Sequence, residues 1–560
     1  MSTAVTVDAP PVALPASTRR LERAEWEPDE SVPLAEATIG GLLRDRAQRS
    51  PDVCALIGTR HDGSQARLSY AELLAEARGV AAGLLALAEP GEHVALWAPN
   101  VAEWPVIEYG AALAGLVLVA LNPVLTDDEL AYALRLSGAS VLVHAETSRD
   151  RDLAAAVARI RTDLPALRET VSLAHADRLH AEPGPEPDDV APEDPAMIQF
   201  TSGTTGRPKA VVLAHRSLVN NARLTMITAE VEPGAVGIAP LPMFHTAACV
   251  ISTLGPAWVG GTQVLIERFE PGPVLAAAVR EDARLLFSVP TVLSALLEAA
   301  RHGEQAPRLD TVLVGASICA PVTIAAAQEI FGAAVHNLFG QTELSPVLSL
   351  TRRGDTAEDL ATTVGRPLPQ TAARVVDPTT GDVVALGVQG EICARGYLQL
   401  LRYHDDPEAT AATVDPEGWV HTGDLGTMDE RGLIAVTGRL KELVIRGGEN
   451  IAPAEVEIAL AEHPGVLTSA VVGLPDDHWG EIVAAAVVLR DDHSSGIEES
   501  LRAHCRERLS SYKVPERWFV VDELPMTASG KVQKFALRDR LVADQPGADG
   551  TSTDSSTRSN

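Results

Sequence analysis

An α/β architecture, with layered mixed and parallel sheets flanked by helices, is expected from the spacing of apolar residues along this 560-residue chain. Short all-apolar runs (Val94-Ala-Leu-Trp-Ala, Val117-Leu-Val-Ala-Leu, Val141-Leu-Val-His) alternate with segments of helical period. A strand apolar on both sides needs cover on both faces, which crossover helices supply in a parallel sheet. At this length one core does not suffice, and two or more domains are expected. Hydrophobic residues are 46% and charged residues 22% of the chain, a globular balance, and aromatics are only 4%, leaving Ala, Val and Leu to fill the cores.

Residues 1–34, rich in Pro, Ala and acidic residues without a sustained period, read as a loose leader. The first strong helix opens at Ser69, an N-cap with Glu72 at the capping-box spacing, and Leu73, Ala77, Val80 and Leu84 fall on one face. A strand at 94–98, a helix over 103–114, a strand at 117–121, a helix over 127–137 and a strand at 141–144 follow. The longest apolar run, 109–121, has 13 residues. A membrane span needs about 20, so this run is a buried helix and strand, and the chain is expected to be soluble. Met197-Ile-Gln-Phe, Leu285-Leu-Phe-Ser, Val312-Leu-Val-Gly and Val335-His-Asn-Leu-Phe extend the strand series.

After about residue 365, shorter strands such as Ala373-Arg-Val-Val and Gly390-Glu-Ile-Cys-Ala-Arg-Gly stand between Gly and Pro turns. The texture changes again after Gly438-Arg-Leu-Lys441. A helix at 455–461, strands at 466–472 and 481–489, and helices at 498–509 and 534–541 make an α+β unit of about 100 residues. The expected organisation is therefore a leader (1–34), a large domain (35–438), a small domain (439–541) and a polar tail (542–560) rich in Gly, Ser, Thr and Asp.

The net charge of −30, with no long basic stretch, disfavours nucleic-acid or anionic-membrane binding. An anionic nucleotide remains compatible, because its site depends on local donors. Five cysteines without close spacing make neither a disulfide scaffold nor a metal knuckle, and the N-terminus lacks the order of a signal peptide. A reducing cytoplasm is the expected compartment.

The chemistry concentrates in two lysine-bearing loops. Thr201-Ser-Gly-Thr-Thr-Gly-Arg-Pro-Lys209 follows an expected strand. Gly203 and Gly206 permit tight backbone geometry; Thr201, Ser202, Thr204 and Thr205 add hydroxyls, and Lys209 a cation. Such a loop can nest polyphosphate oxygens. It is not a Walker A loop, since Gly-x-x-x-x-Gly-Lys-[Ser/Thr] is absent. The same composition also describes a polar hairpin with no ligand. The second lysine, Lys531, stands in Thr527-Ala-Ser-Gly-Lys531, ordinarily a solvated charge near a C-terminus.

The ordered set of motifs resembles the adenylate-forming (ANL) superfamily, which includes acyl-CoA synthetases, firefly luciferases and peptide-synthetase adenylation domains. The set is Thr201–Lys209, Pro242-Met-Phe-His245, Asn337-Leu-Phe-Gly-Gln-Thr-Glu343, Gly418-Trp-Val-His-Thr-Gly-Asp424, Gly438-Arg-Leu-Lys-Glu-Leu-Val-Ile-Arg-Gly-Gly-Glu-Asn450, Pro453-Ala-Glu-Val-Glu457 and Ser529-Gly-Lys531. The resemblance, to the acyl-CoA synthetase type, implies a small β-barrel-like subdomain and a mobile C-terminal lid.

It also implies roles. Glu343, with Thr204, would hold Mg²⁺ against ATP, and Thr342 would contact the α-phosphate; Mg²⁺ takes oxygen ligands and keeps waters, so no His/Cys cluster is required. Asp424 would bind the ribose diol, whose two hydroxyls suit the two carboxylate oxygens, and Arg439 the ribose and phosphate. Gly315, Ala316 and Ser317 would line one face of adenine and Phe339 the other, with Asn337 and Gly340 beside them. His245, otherwise an ordinary packed histidine in an apolar run, would stand at the mouth of the acyl site. Thr246, Ala247, Ala248, Gly340 and Leu344 would line that site. Lys531 would act electrostatically in adenylation, and Lys441 would be the hinge, bringing Gly447 and Gly448 to the CoA tunnel.

The implied reaction is attack of a carboxylate on ATP, giving acyl-AMP and pyrophosphate, followed by transfer of the acyl group to CoA. The lining residues are small or aliphatic, which suits an apolar acid. Loading of a carrier-protein thiol is the alternative acceptor, and a catalytically silent nucleotide-binding scaffold the alternative class. Acyl-ester hydrolysis is excluded because Gly-x-Ser-x-Gly is absent. The resemblance implies a monomer or homodimer.

Overall fold

The computed structural model describes residues 19–543 apart from 185–186, 188–189, 202–207, 316–318, 448, 477, 491–495 and 527–531. The chain divides into two compact units. The first runs to Thr422 and includes Gly426–Val436; the second takes Gly423–Leu425 and the chain from Thr437 onward.

The first unit is built on two large sheets. Seven strands lie in the order Arg402–Tyr403, Lys209–Ala214, Pro195–Thr201, Val117–Leu121, His93–Trp97, Val141–His144 and Glu169–Ser172. Pairing is parallel from Pro195–Thr201 onward and antiparallel at the Lys209–Ala214 edge. Nine strands form the second sheet, with Ala334–Gly340, Thr311–Val314, Leu285–Ser288, Val236–Ala239 and Thr262–Leu265 as its parallel centre. The all-apolar runs are buried on both faces, as their composition requires.

Local chemistry sets the helix starts. Ser69 accepts from Glu72 N while the Glu72 carboxylate accepts from Ser69 N, opening Tyr70–Leu85. Thr126 and Glu129 do the same for Asp127–Ser137, and each cap is worth about 1 kcal/mol. The run at 109–121 is the end of a wholly buried helix, Glu103–Leu113, followed by the strand Val117–Leu121. One large core unites the sheets and these helices, and a second lies beneath Pro271–Arg280, Pro290–Arg301 and Pro321–Phe331.

A third sheet orders its five strands Glu25–Trp26, Thr371–Val376, Gly390–Gly396, Val420–Met428 and Ile434–Arg439. Its first strand corrects the expectation of a loose leader for the described part of residues 1–34. Trp26 is 2% exposed and packs on Gly432, where a Cβ would come within 2.2 Å of the indole. One tryptophan in a polar stretch has no period, so burial there left no pattern to read.

The second unit is built on a five-stranded sheet whose centre is a hairpin of Val466–Asp476 and Gly480–Leu489, antiparallel from Val466 opposite Leu489 to Asp476 opposite Gly480. Alternation sorts its side chains. Val471 and Val483 join a core with Pro453–Ala461 and Ile497–Arg508, while Ala470, Val472 and Ala484 join another with Lys534–Ala543. Among the described residues no helix is long and apolar enough to cross a membrane.

Candidate active site

Lys209 begins the strand Lys209–Ala214 and stands opposite Thr201. The loop between them, with Ser202, Gly203, Thr204, Thr205 and Gly206, lies outside the described residues. Its base is fixed by Tyr132, whose hydroxyl donates to Pro208 O at 3.2 Å. The Lys209 Nζ stands 4.4 Å from the centroid of the Tyr403 ring, a cation–π contact. Tyr403 is placed there by pairing of its short strand with Lys209–Ala214, Val211 opposite Tyr403.

The Tyr403 hydroxyl donates to Glu343 Oε1 at 2.8 Å. Burial, reinforced by the Glu343 charge, raises the phenol pKa, so it stays a donor. One tyrosine thus joins the lysine of the first loop to the expected magnesium ligand. Sequence reading missed it; the only signal was an aromatic just ahead of the Asp406-Pro407 helix start in an aromatic-poor chain.

Glu343 sits in a single 3₁₀ turn, Thr342–Leu344, after the strand Ala334–Gly340. Four hydrogen bonds hold that turn and the segment just after it. Leu400 N donates to Glu343 O at 2.9 Å. Asn221 Oδ1 accepts from Val347 N at 3.0 Å, and its Nδ2 donates to Val347 O at 2.8 Å and Leu344 O at 3.3 Å. At Gly340 a Cβ would lie 1.8 Å from Pro346 O, so glycine is needed for packing of the loop itself.

Leu344 is fully buried in the main core. Gly315 packs against Leu338, whose Cδ1 a Cβ would approach to 2.2 Å; Ala316 and Ser317 lie outside the described residues. Phe339 packs against the main core and is half-buried. Asn337 does not present its amide nitrogen for a ligand: Nδ2 donates to Leu360 O, and its backbone N to Thr351 Oγ1 at 2.9 Å.

Asn100, also unnoticed in the sequence, clamps the Pro240–His245 segment. Its Nδ2 donates to Leu241 O and Ile266 O at 2.8 and 2.9 Å, and its Oδ1 accepts from Met243 N at 2.8 Å. His245 follows, its ring 4.4 Å from that of Phe244. A π-helical turn, Ala247–Ser252, comes next, an irregularity common at functional sites. Thr246 and Ala248 are buried and Ala247 half-buried. Cys249 Sγ donates back to His245 O at 3.3 Å.

In the second unit, Asp424 is nearly inaccessible and Arg439 Nε lies 2.7 Å from its Oδ1. Lys441 is exposed in the turn Leu440–Glu442. Gly447 adopts φ +58°, where a Cβ would meet the Trp479 ring at 2.7 Å. Trp479, stacked 4.6 Å beneath the Arg446 guanidinium, explains that glycine without appeal to a tunnel. Gly448 and Lys531 lie outside the described residues.

Elsewhere, Glu391, Cys393 and His421 gather potential ligand atoms within 4.8 Å. They are engaged with one another and with positive charge: His421 Nδ1 pairs with Glu391 Oε2 at 2.7 Å, and Arg374 acts on the Cys393 thiol and binds Asp415 at 3.1 Å.

Residues 43–404 match the AMP-binding enzyme family and residues 455–531 the AMP-binding enzyme C-terminal domain. The chain is 34% identical to a putative acyl-CoA synthetase, YngI, of Bacillus subtilis (strain 168), over 91% of this chain and 98% of that protein. It is 33% identical to the mitochondrial medium-chain acyl-CoA ligase ACSF2 of Bos taurus, over 91% and 88%. ATP-bound MatB from Rhodopseudomonas palustris superimposes with a TM-score of 0.80 at 29% identity, over 91% of this chain and 99% of that one. The anthranilate CoA ligase AuaEII with anthranoyl-AMP gives 0.83 at 26%, over 92% and 99%.

The chain belongs to the AMP-binding enzyme family of the adenylate-forming superfamily, and within it to the acyl-CoA synthetases. It is an AMP-forming acid–thiol ligase that uses ATP and works through an acyl-adenylate.

Proposed function

We propose that this ligase activates an apolar carboxylic acid of medium length, the class named for the bovine relative, and transfers it to CoA. The observation that carries the nucleotide half is the contact chain Lys209–Tyr403–Glu343, which sets a cation and a carboxylate on one phenol. That is the polarity needed at a triphosphate and its counter-ion. The acyl half rests on the small residues that follow His245, namely Thr246, Ala247 and Ala248, and on the aliphatic Leu344 that follows Glu343.

In the first step a carboxylate oxygen attacks the α-phosphorus, a P–O bond forms, and the bond to pyrophosphate breaks. Lys209 steadies the leaving pyrophosphate. Lys531 offsets charge where two anions are brought together, which fixed cations do well in a site already organised for it. Glu343, with Thr204, would hold Mg²⁺, a hard cation served by oxygen ligands, which supplies neutralisation of the triphosphate. Asp424 takes the ribose hydroxyls, with Arg439 orienting its carboxylate. In the second step the CoA thiolate attacks the acyl carbon and AMP leaves. The second unit, hinged at Lys441, serves as the lid that withdraws Lys531 between steps.

Acid-dependent ATP–pyrophosphate exchange across a panel of acids, followed by CoA addition, tests the reading. Exchange with medium-chain acids and conversion to acyl-CoA is the expected result. Exchange without any acyl-CoA, but with acylation of a carrier protein, would overturn the acceptor; no exchange with any acid would overturn the ligase.

A further inference from the structure

Lys534, the first residue of the helix Lys534–Ala543, is a cation that the reaction above does not use. Its Nζ lies 2.9 Å from Glu457 Oε1 and 3.0 Å from Glu442 Oε2, and its side chain is only 22% exposed. All three residues belong to the second unit. Burial opposes the charge on the ammonium, but the Glu457 and Glu442 carboxylates outweigh it and raise the pKa, so the group stays protonated.

Each carboxylate belongs to a different piece of the fold. Glu457 stands in the helix Pro453–Ala461, and its Oε1 also accepts from Val471 N at 2.7 Å, which fastens it to the central hairpin. Glu442 ends the turn Leu440–Glu442 and directly follows Lys441. Without the ammonium, the two carboxylates would face each other across the space it fills, and like charges so close repel. Lys534 is thus what lets the turn rest against the helix. One turn further along the same helix face, Arg538 Nη2 meets Glu481 Oε1 at 2.9 Å, and Glu481 Oε2 accepts from Ile445 N at 2.9 Å. The segment 442–445 is therefore fastened at both ends to one helix.

That helix also begins where the Lys531 loop ends. Met526 and Val532 pair as an antiparallel bridge, and Gln533 N donates to Pro525 O at 2.7 Å, so the two ends of the loop are tied together just ahead of Lys534. We propose that Lys534 is a positioning residue for adenylation, joining the turn at Lys441 and the base of the Lys531 loop into one rigid piece through Glu442 and Glu457. The inference rests on the reading of Lys441 as the hinge and Lys531 as the adenylation lysine. Rotation at the turn then delivers Lys531 to a fixed place. A displacement of about 1 Å at a reacting group can cost about a hundredfold in rate.

The two half-reactions of the full chain test this, with Lys534→Met, Lys534→Arg, Glu442→Gln and Lys531→Ala measured side by side. Lys534→Met should lower kcat for acid-dependent ATP–pyrophosphate exchange by about 10- to 100-fold, with KM for the acid and for MgATP unchanged. Thioesterification of supplied acyl-AMP should stay at the wild-type rate. Lys534→Arg, which can meet both carboxylates, should recover most of the exchange. Glu442→Gln should also lower exchange, and combining it with Lys534→Met should do no further harm, as groups acting through one contact are not additive. Wild-type exchange in Lys534→Met overturns the role. So does an equal fall in both half-reactions, the mark of a merely structural residue, and so do additive losses in the double variant. Lys531→Ala separates the two readings. If it keeps exchange, the assignment of Lys531 fails and this role with it; if it loses exchange alone while Lys534→Met does not, only the role of Lys534 fails.

Discussion

Replacing Tyr403 by Phe removes one oxygen from the site while leaving the ring under Lys209. The lost hydrogen bond is short, 2.8 Å, and its acceptor is a carboxylate. Hydrogen bonds to charged groups contribute about 1.5–3 kcal/mol, and each 1.36 kcal/mol is tenfold in rate. If the phenol orients Glu343 for the triphosphate, exchange at subsaturating MgATP should fall by about 10- to 150-fold. Raising Mg²⁺ should restore part of the loss, whereas KM for the acid should hardly move. Tyr403→Leu removes the cation–π contact as well, worth about 0.5–2 kcal/mol, and should cost a further factor of roughly 2 to 30. Steady-state exchange with MgATP and free Mg²⁺ varied separately measures both. Wild-type MgATP dependence in Tyr403→Phe would refute the role, as would an equal loss in the acid KM.

Three further outcomes are expected. Lys531→Ala should abolish adenylation yet spare thioesterification of supplied acyl-AMP; an equal fall in both half-reactions would refute withdrawal of this lysine between steps. Gly340→Ala places a Cβ 1.8 Å from Pro346 O in the loop that carries Glu343, and should lower both the unfolding midpoint and exchange by more than tenfold. Burial holds His215 and His336 at about 4, against about 6.5 when unfolded. Both are neutral in the fold, so the unfolded chain binds the extra protons and stability rises with pH between these values. Each contribution is full above about 6.5 and lost as pH falls toward 4, roughly 3 kcal/mol per histidine. His336→Gln should flatten the pH dependence of unfolding in that window, and parallel curves for variant and wild type would count against it.

Periodicity and caps made much of the first unit readable. The helix at Ser69 is fixed by two reciprocal bonds between residues three apart, and sequence shows such local contacts directly. The motif residues Lys209, His245, Glu343 and Asp424 were visible because their types and order are distinctive. What escaped reading was their support. Asn100 reaches Leu241 and Ile266, and Asn221 reaches Val347, across more than a hundred residues. Trp26 joins a strand partner some 350 residues away. No local pattern encodes such pairings, because only the fold brings the partners together. Glycine packing is hidden in a related way: at Gly340 and Gly447 the space a side chain would need is occupied by Pro346 O and the Trp479 ring.

Tyr403 has a consequence beyond orienting one carboxylate. Lys209 starts a strand of the seven-stranded sheet, and Glu343 follows a strand of the nine-stranded one. Opposite charges brought together by two sheets would ordinarily collapse onto each other as an ion pair. Among the described residues they do not; the aromatic ring meets the lysine on its face and the glutamate at its hydroxyl. The phenol acts as an insulator that holds the two poles apart. On the function proposed above, a nucleotide arriving there would meet Lys209 and Glu343 with no salt bridge between the two to break first.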